Sequence, residues 1–235
     1  MGSDWDQSAA AWINHLGADG DHGRRFVLDA PMLARVRGRG FRTALDVGCG
    51  EGRFCRMLAA DGIAATGIDP TAALIAAAQS RDPRGDCRVA DAETMEVPPA
   101  SFDLVVSYLS LIDIPDLGAA LARMVAALAS GGTLLIANLT SFNTAAMPEG
   151  WREPVLGAPY FAIDHYLDER ALPAVWNGIS VINHHRPLKR YMQALLGHGL
   201  LLRHFDEPEP VGGPADKAER YRRAPYFHIM EWQKA

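Results

Sequence analysis

The sequence predicts an α/β fold, a doubly wound sheet of seven strands, mostly parallel, with an antiparallel pair at one edge. Three observations carry this. Between Phe41 and Leu139 five short apolar runs alternate with helical patterns, as parallel strands covered by helices on both faces do. After Leu139 the alternation stops, and two further strand patterns near the C-terminus complete the count. The chain has 235 residues, 49% of them hydrophobic, enough for one large core. We therefore expect a single domain, residues 1–235.

Residues 1–40 read as an N-terminal helical flap. Trp5, Ala9, Trp12, Ile13 and Leu16 fall at helical spacing, and Gly17 and Gly20 end the run. A polar loop, Asp19–Arg25, follows, and a second short helix starts at Pro31 with Met32, Leu33 and Val36 on it.

Residues 41–139 form the core. Arg42–Val47 reads as a buried strand and Glu51–Asp61 as a helix with Phe54, Met57 and Leu58 on one face. Ile63–Ile68 is a strand, and Thr71–Ser80 an alanine-rich helix capped by Thr71. Cys87–Ala90 is a short strand and Phe102–Ser107 a longer one. Pro115–Leu128 is a helix with Leu117, Leu121, Met124 and Val125 inward, closed by Gly131 and Gly132, and Thr133–Leu139 is a strand. Residues 140–186, rich in Pro, Gly, Trp and Tyr, are too long and too aromatic for a plain connection and are expected to cap a pocket. Residues 187–235 supply a helix at Pro187–Gly197 and the edge strands Leu200–Phe205 and Phe227–Trp232.

Composition excludes several classes. The apolar fraction is too high for a disordered chain, and three cysteines do not make a disulfide scaffold. The apolar stretches Gly118–Leu128 and Thr133–Leu139 fall short of the roughly 18 residues of a membrane span. Met1–Asp6 has neither the basic nor the apolar region of a secretory signal, so a cytoplasmic location is expected. A net charge of −5 does not favour a nucleic-acid partner, which is held through Lys and Arg contacts to phosphates. No membrane partner is expected, and monomer and homodimer both stay open.

The most informative segment is Leu45-Asp46-Val47-Gly48-Cys49-Gly50-Glu51-Gly52-Arg53. A strand ends, glycines at alternate positions turn the chain, and a helix begins. Glycine permits positive φ and lets a ligand approach the backbone, which at the carboxyl end of a first parallel strand makes a nucleotide-sized crevice. A dinucleotide loop reads G-x-G-x-x-G; its third glycine position is Arg53 here. Asp46 beside the loop would repel a pyrophosphate and suits a ligand carrying an ammonium group or having no phosphate. Asp69 ends the second strand, where a carboxylate can hold ribose hydroxyls. Asp91 follows the third strand, where a carboxylate can accept an exocyclic amine, with the Ala92 amide at the ring edge.

These residues, with Gly67-Ile68-Asp69, Asp91-Ala92-Glu93, Phe102–Ser107 and Leu128–Leu134, resemble a class I S-adenosylmethionine-dependent methyltransferase of the small-molecule type. The resemblance covers residues 41–139, in order and at the family's spacing, and implies a Rossmann-like fold. It implies cofactor contacts at Asp46, Gly48, Cys49, Gly50, Asp69, Pro70, Asp91, Ala92, Glu93, Ser107 and Leu109. It departs from the family after the fourth strand, where many relatives carry histidines and this chain has Leu111-Ile112-Asp113-Ile114-Pro115. Asp113 is either a polar group of the active site or the cap of the Pro115 helix.

Candidate bases are His185, His184, His165 and Asp113. His184 and His185 are adjacent, so on a strand they face opposite sides. Candidate substrate contacts are Trp12, Tyr108, Trp151, Tyr160, Tyr166, Trp176 and Tyr191, and packing of the cap is the plainer role for its aromatics. Arg24 and Arg25 could close the pocket or be solvated, and Lys189-Arg190 and Arg220–Arg223 read as solvated faces. Cys49, Cys55 and Cys87 lack C-x-x-C spacing, so no metal is expected.

The sequence thus implies transfer of a methyl group from S-adenosylmethionine to an O, N or C atom of a small molecule, releasing S-adenosylhomocysteine. The alternatives are a non-catalytic cofactor-binding or scaffold protein with this fold and a nicotinamide-dependent oxidoreductase. Arg53 and Asp46 oppose the last.

Overall fold

The computed structural model describes residues 4–148 and 150–235. Met1–Ser3 of the expected flap and Glu149 of the expected cap lie outside the described residues. Helix α1 (Asp4–Leu16) precedes a five-residue π-helical turn, Arg24–Leu28, which runs directly into α2 (Asp29–Ala34). This segment starts well before Pro31, because Asp21 accepts the Arg24 amide at 2.8 Å and pairs with its guanidinium, winding up the residues expected to form a loop.

The core follows as β1 (Thr43–Val47), α3 (Arg53–Ala60), β2 (Ala64–Asp69), α4 (Ala72–Arg81), β3 (Asp86–Val89), β4 (Phe102–Tyr108), α5 (Leu117–Ala127) and β5 (Leu128–Leu139). Helix α5 is capped by Asp116, whose carboxylate accepts the Ala119 amide at 3.0 Å. That overturns the capping role considered for Asp113 and frees it for the cavity. Thr71 stands at the N-cap of α4 but makes no side-chain cap bond; the Asp69 carboxylate takes the Thr71 amide instead.

The cap contains α6 (Ser141–Ala145), the two-residue strands β6 (Trp151–Arg152) and β7 (Tyr160–Phe161), and a hairpin of β8 (Arg170–Trp176) and β9 (Ile179–His185). The hairpin turns on Asn177 and Gly178, at φ +46° and +80°, the conformation that the right-handed twist of a hairpin favours at a two-residue turn. Helix α7 (Leu188–Gly197), strand β10 (Leu201–Asp206), helix α8 (Ala215–Arg223) and strand β11 (Phe227–Gln233) complete the chain. Helix α8 carries the basic run Arg220–Arg223, and Arg220, Arg222 and Arg223 are exposed as expected.

The seven-stranded sheet has the order β10-β11-β5-β4-β1-β2-β3. Strands β3, β2, β1, β4 and β5 pair in parallel, and β11 runs antiparallel to both β5 and β10. Alternate side chains serve opposite cores. Leu45, Val47 and Val105 pack with α5 and α7 through Leu121, Met124 and Leu195, whereas Ala44, Leu104 and Val106 pack with Phe54, Leu58 and Met32. Chain direction from β1 divides between β2 and β4, so the carboxyl ends of these strands part and leave a crevice. Over it lie α1 and the hairpin, joined where the Ser8 hydroxyl donates to the Ser180 carbonyl and accepts its amide, both at 3.0 Å. Among the described residues no helix is long and apolar enough to cross a membrane.

Candidate functional site

The crevice is a cavity of about 1200 Å³, somewhat larger than the several hundred Å³ of a usual ligand pocket. Its floor is the glycine loop. Gly48 adopts φ +78°, and a Cβ there would stand 2.3 Å from that of Ser110. The Gly48 and Cys49 amides both donate to the Ile68 carbonyl, at 2.8 and 2.9 Å. Ser110 closes the underside, donating to the Val47 carbonyl at 2.6 Å and meeting the Ser107 hydroxyl at 2.7 Å. Ser107 therefore stands behind Ser110, off the cavity wall, contrary to expectation.

The other expected cofactor residues, Asp46, Gly48, Cys49, Gly50, Asp69, Pro70, Asp91, Ala92, Glu93 and Leu109, all reach the wall. Asp46 is buried; the Cys55 thiol donates to its Oδ2 at 3.5 Å, and Oδ1 has no partner among the described residues. Burial pushes its carboxyl up to about 7. Asp69 accepts the Gly50 amide at 3.0 Å and the Thr71 amide at 2.9 Å. Each of its oxygens keeps a lone pair, and burial pushes its carboxyl up. Asp91 is exposed and accepts the Glu93 amide at 2.7 Å.

The flap forms the wall above the loop. Trp12 meets Trp5 edge to face, centroids 5.4 Å apart, and the Arg24 guanidinium lies 4.9 Å from the Trp12 ring and 5.4 Å from that of Tyr108. Tyr108 donates to Asp29 at 2.8 Å, and Asp29 also holds Arg53. Arg25 points outward toward Asp19.

The far half of the cavity is lined by Asp113, Asn183, His184, Trp151, Trp176 and residues of α8 and the start of β11. Asn183 donates to Asp113 Oδ1 at 2.7 Å, and burial pushes the Asp113 carboxyl up to about 7. His184 faces the cavity, and burial lowers its imidazole.

Strand alternation turns His185 away. Its Nε2 meets the Tyr166 carbonyl at 2.9 Å, so that nitrogen carries the proton and Nδ1 accepts from Thr144 at 2.6 Å. With both nitrogens occupied away from the cavity it cannot serve as the base. His165 is an exposed turn residue paired with Asp168. Tyr160 is exposed, Tyr166 packs against Phe142, and Tyr191 is buried beside His228; none lines the cavity.

Sequence reasoning missed Lys217, Arg220, Tyr221 and Tyr226 at the wall. The stacked rings of Tyr221 and Tyr226, 4.4 Å apart, join Trp151 to make that half aromatic. The available signal was Gly213-Pro214-Ala215-Asp216, which has proline at the start and an acid in the first turn of a helix.

Glycine loop, strand-end acids and switch point define an α/β protein built to hold a nucleoside joined to an amino acid. The donor set fits S-adenosylmethionine: the free Oδ1 of Asp46 for an ammonium, Asp69 for vicinal hydroxyls, Asp91 for an exocyclic amine. Residues 45–136 match the family model of a methyltransferase domain. The solved S-adenosylmethionine-dependent methyltransferase of Mesorhizobium loti superposes with a TM-score of 0.80 at 26% identity, over 93% of this chain and 100% of that one. The ubiquinone biosynthesis O-methyltransferase of Bradyrhizobium sp. (strain ORS 278) is 35% identical over 120 residues, 49% of this chain and 46% of that protein. The trans-aconitate 2-methyltransferase of Klebsiella pneumoniae (strain 342) is 33% identical over 147 residues, 61% of this chain and 52% of that protein. The chain spans about half the length of these curated relatives. Residues 45–136 thus form a methyltransferase domain, within a fold shared with an S-adenosylmethionine-dependent methyltransferase.

Proposed function

We propose that the protein transfers the methyl group of S-adenosylmethionine to a small molecule held in the aromatic half of the cavity, releasing S-adenosylhomocysteine. The observation that carries this reading is the continuity of one cavity from the glycine loop and the strand-end acids to Trp151, Trp176, Tyr221 and Tyr226. Asp69 would hold the ribose hydroxyls, Asp91 the adenine amine, and Asp46 the ammonium. Arg24, facing the cavity between two rings, would hold the carboxylate.

The cofactor supplies a methyl already electrophilic through its sulfonium. The protein's part is to align the acceptor behind it and exclude water. Trp12 and Trp176 line the cavity from the flap and the hairpin. Asp113, positioned by Asn183 and poised near neutrality, takes the proton from an acceptor that must lose one. His184 is the second candidate for that proton.

Calorimetric titration with S-adenosylhomocysteine, with NADH as control, tests the reading. Micromolar binding of S-adenosylhomocysteine alone is expected. Binding of NADH alone, or of neither, would overturn it. A panel of small acceptors with labelled cofactor then tests turnover.

A further inference from the structure

The three cysteines, without any metal-like spacing in sequence, meet in space. Cys49 comes from the glycine loop, Cys55 from α3 and Cys87 from β3. All are free and buried, and their sulfur atoms lie within 4.8 Å of one another. The thiols of Cys49 and Cys55 both overhang Gly67, where a Cβ would stand 2.8 Å from either sulfur. The absence of that side chain is what lets the sulfurs converge. Asp46 stands beside the group, its Oδ2 3.5 Å from Cys55 Sγ, but the atoms that converge within 4.8 Å are the three sulfurs.

These separations resemble those of ligands around one ion. A Zn–S bond of about 2.3 Å in a tetrahedron sets sulfurs roughly 3.8 Å apart, against separations within 4.8 Å here. The cluster needs only a small inward shift. As neutral thiols the three side chains are weak hydrogen-bond donors; Cys49 Sγ lies 3.7 Å from the Gly50 carbonyl. A second, small cavity of about 20 Å³, lined by Cys55, Cys87, Gly52, Arg56 and Asp82 among others, reaches the cluster from the side away from the glycine-loop cavity. It is wide enough for one water-sized species.

We propose that Cys49, Cys55 and Cys87 form a three-thiolate site for a thiophilic divalent ion of the zinc type. Binding releases the three thiol protons to solvent and leaves three thiolates on the ion, with no change of oxidation state. Sulfur donors select zinc-like ions over magnesium or calcium. Because Cys49 lies between Gly48 and Gly50, the ion would fasten the loop to α3 and β3. This inference does not depend on methyl transfer.

The test uses the reduced full chain, titrated anaerobically with Cd²⁺ and, in competition, with Zn²⁺. A thiolate-to-cadmium absorption band that saturates at one ion per chain, reversal by Zn²⁺ and a rise in melting temperature are expected. Cys49→Ser, Cys55→Ser and Cys87→Ser should each weaken binding by more than about a hundredfold, beyond the loss from an outer-shell change. Asp46→Asn should keep the band and weaken binding less. Absence of the band in the unmodified chain at one equivalent would overturn the proposal, whatever the variants do. So would a folded triple serine variant that binds Cd²⁺ as tightly.

Discussion

Arg53 and Asp29 meet in a two-point ion pair, with Nη1 to Oδ1 at 2.9 Å and Nη2 to Oδ2 at 2.5 Å. The residue standing where a dinucleotide loop has its third glycine is thus the tether of the flap. The same guanidinium donates to the Asp19 carbonyl at 2.7 Å, and Gly20 gives it room, since a Cβ there would lie 2.8 Å from the Arg53 Cζ. Asp29 in turn accepts from Tyr108. Asp29→Ala leaves the largely buried Arg53 guanidinium with only the Asp19 carbonyl and the Tyr108 phenol without its acceptor. Loss of about 2–3 kcal/mol is expected, at the low end for a broken buried pair because both side chains keep some solvent. Urea denaturation measures it, and weaker binding of S-adenosylhomocysteine should accompany it. An unchanged midpoint and affinity would show that the flap is held elsewhere.

Asp69 and Asp91 should separate binding from folding. Asp69 holds two backbone amides that shape the loop, whereas Asp91 holds one amide at an exposed turn. Replacing either by Ala should weaken S-adenosylhomocysteine binding by about 1–3 kcal/mol, the scale of a lost hydrogen-bond partner. Only Asp69→Ala should also lower the melting temperature by several degrees. Equal affinity in both variants and the parent would remove the roles assigned to them.

The core was legible because each of its elements repeats a local rule. Apolar runs gave β1 to β4 within a residue or two, whereas β5 begins at Leu128 rather than Thr133 and takes in Gly131 and Gly132, expected to close the helix; the glycines before α3 marked the switch point. The cap was less legible for two reasons. Its hairpin has a clear signal, Asn177-Gly178 between alternating apolar residues, which was masked by the surrounding prolines and glycines. Helix α8 has too few apolar residues for a period to show, because its buried face is a cavity wall rather than a core. Among site residues, the strand-end acids could be placed by position alone. His184 and His185 could not be told apart, since alternation says that they differ but not which one faces inward. Asp113 depended on whether Asp116 took the cap, a choice made by one hydrogen bond.

Asp113 ionises near neutrality, and the Asn183 amide stabilises its charged form. The ionised carboxylate is the one that can take a proton, so turnover of an acceptor that must lose one should rise with pH around a midpoint near 7. Asp113→Asn should cut that rate by about 10²–10⁴, with binding of S-adenosylhomocysteine little changed. Asn183→Ala removes a hydrogen bond to the charged form and should move the midpoint upward by roughly one unit. A midpoint that stays in place in Asn183→Ala, or a rate unaffected in Asp113→Asn, would shift the role to His184.

His228 supplies a pH test of the fold itself. It is buried on β11, stacked on Phe205 with centroids 5.9 Å apart, and its Nε2 has no partner among the described residues. Burial lowers its imidazole to about 4 from an ordinary value of 6.5. Between those values the unfolded chain binds a proton at this position and the folded chain does not. Stability linked to His228 is therefore full above about 6.5, declines as pH falls, and levels off below about 4. Its total is about 3 kcal/mol. Asp46 and Asp113, pushed up by burial, act in the opposite sense over part of the same range, so the effect must be read as a difference. His228→Phe keeps a ring against Phe205 and removes the titration. Urea midpoints from pH 4 to 8 should converge on a fixed offset above pH 7, with the parent losing ground to the variant as the pH falls. Parallel curves across the whole range would mean that the folded chain protonates His228 as easily as the unfolded one does.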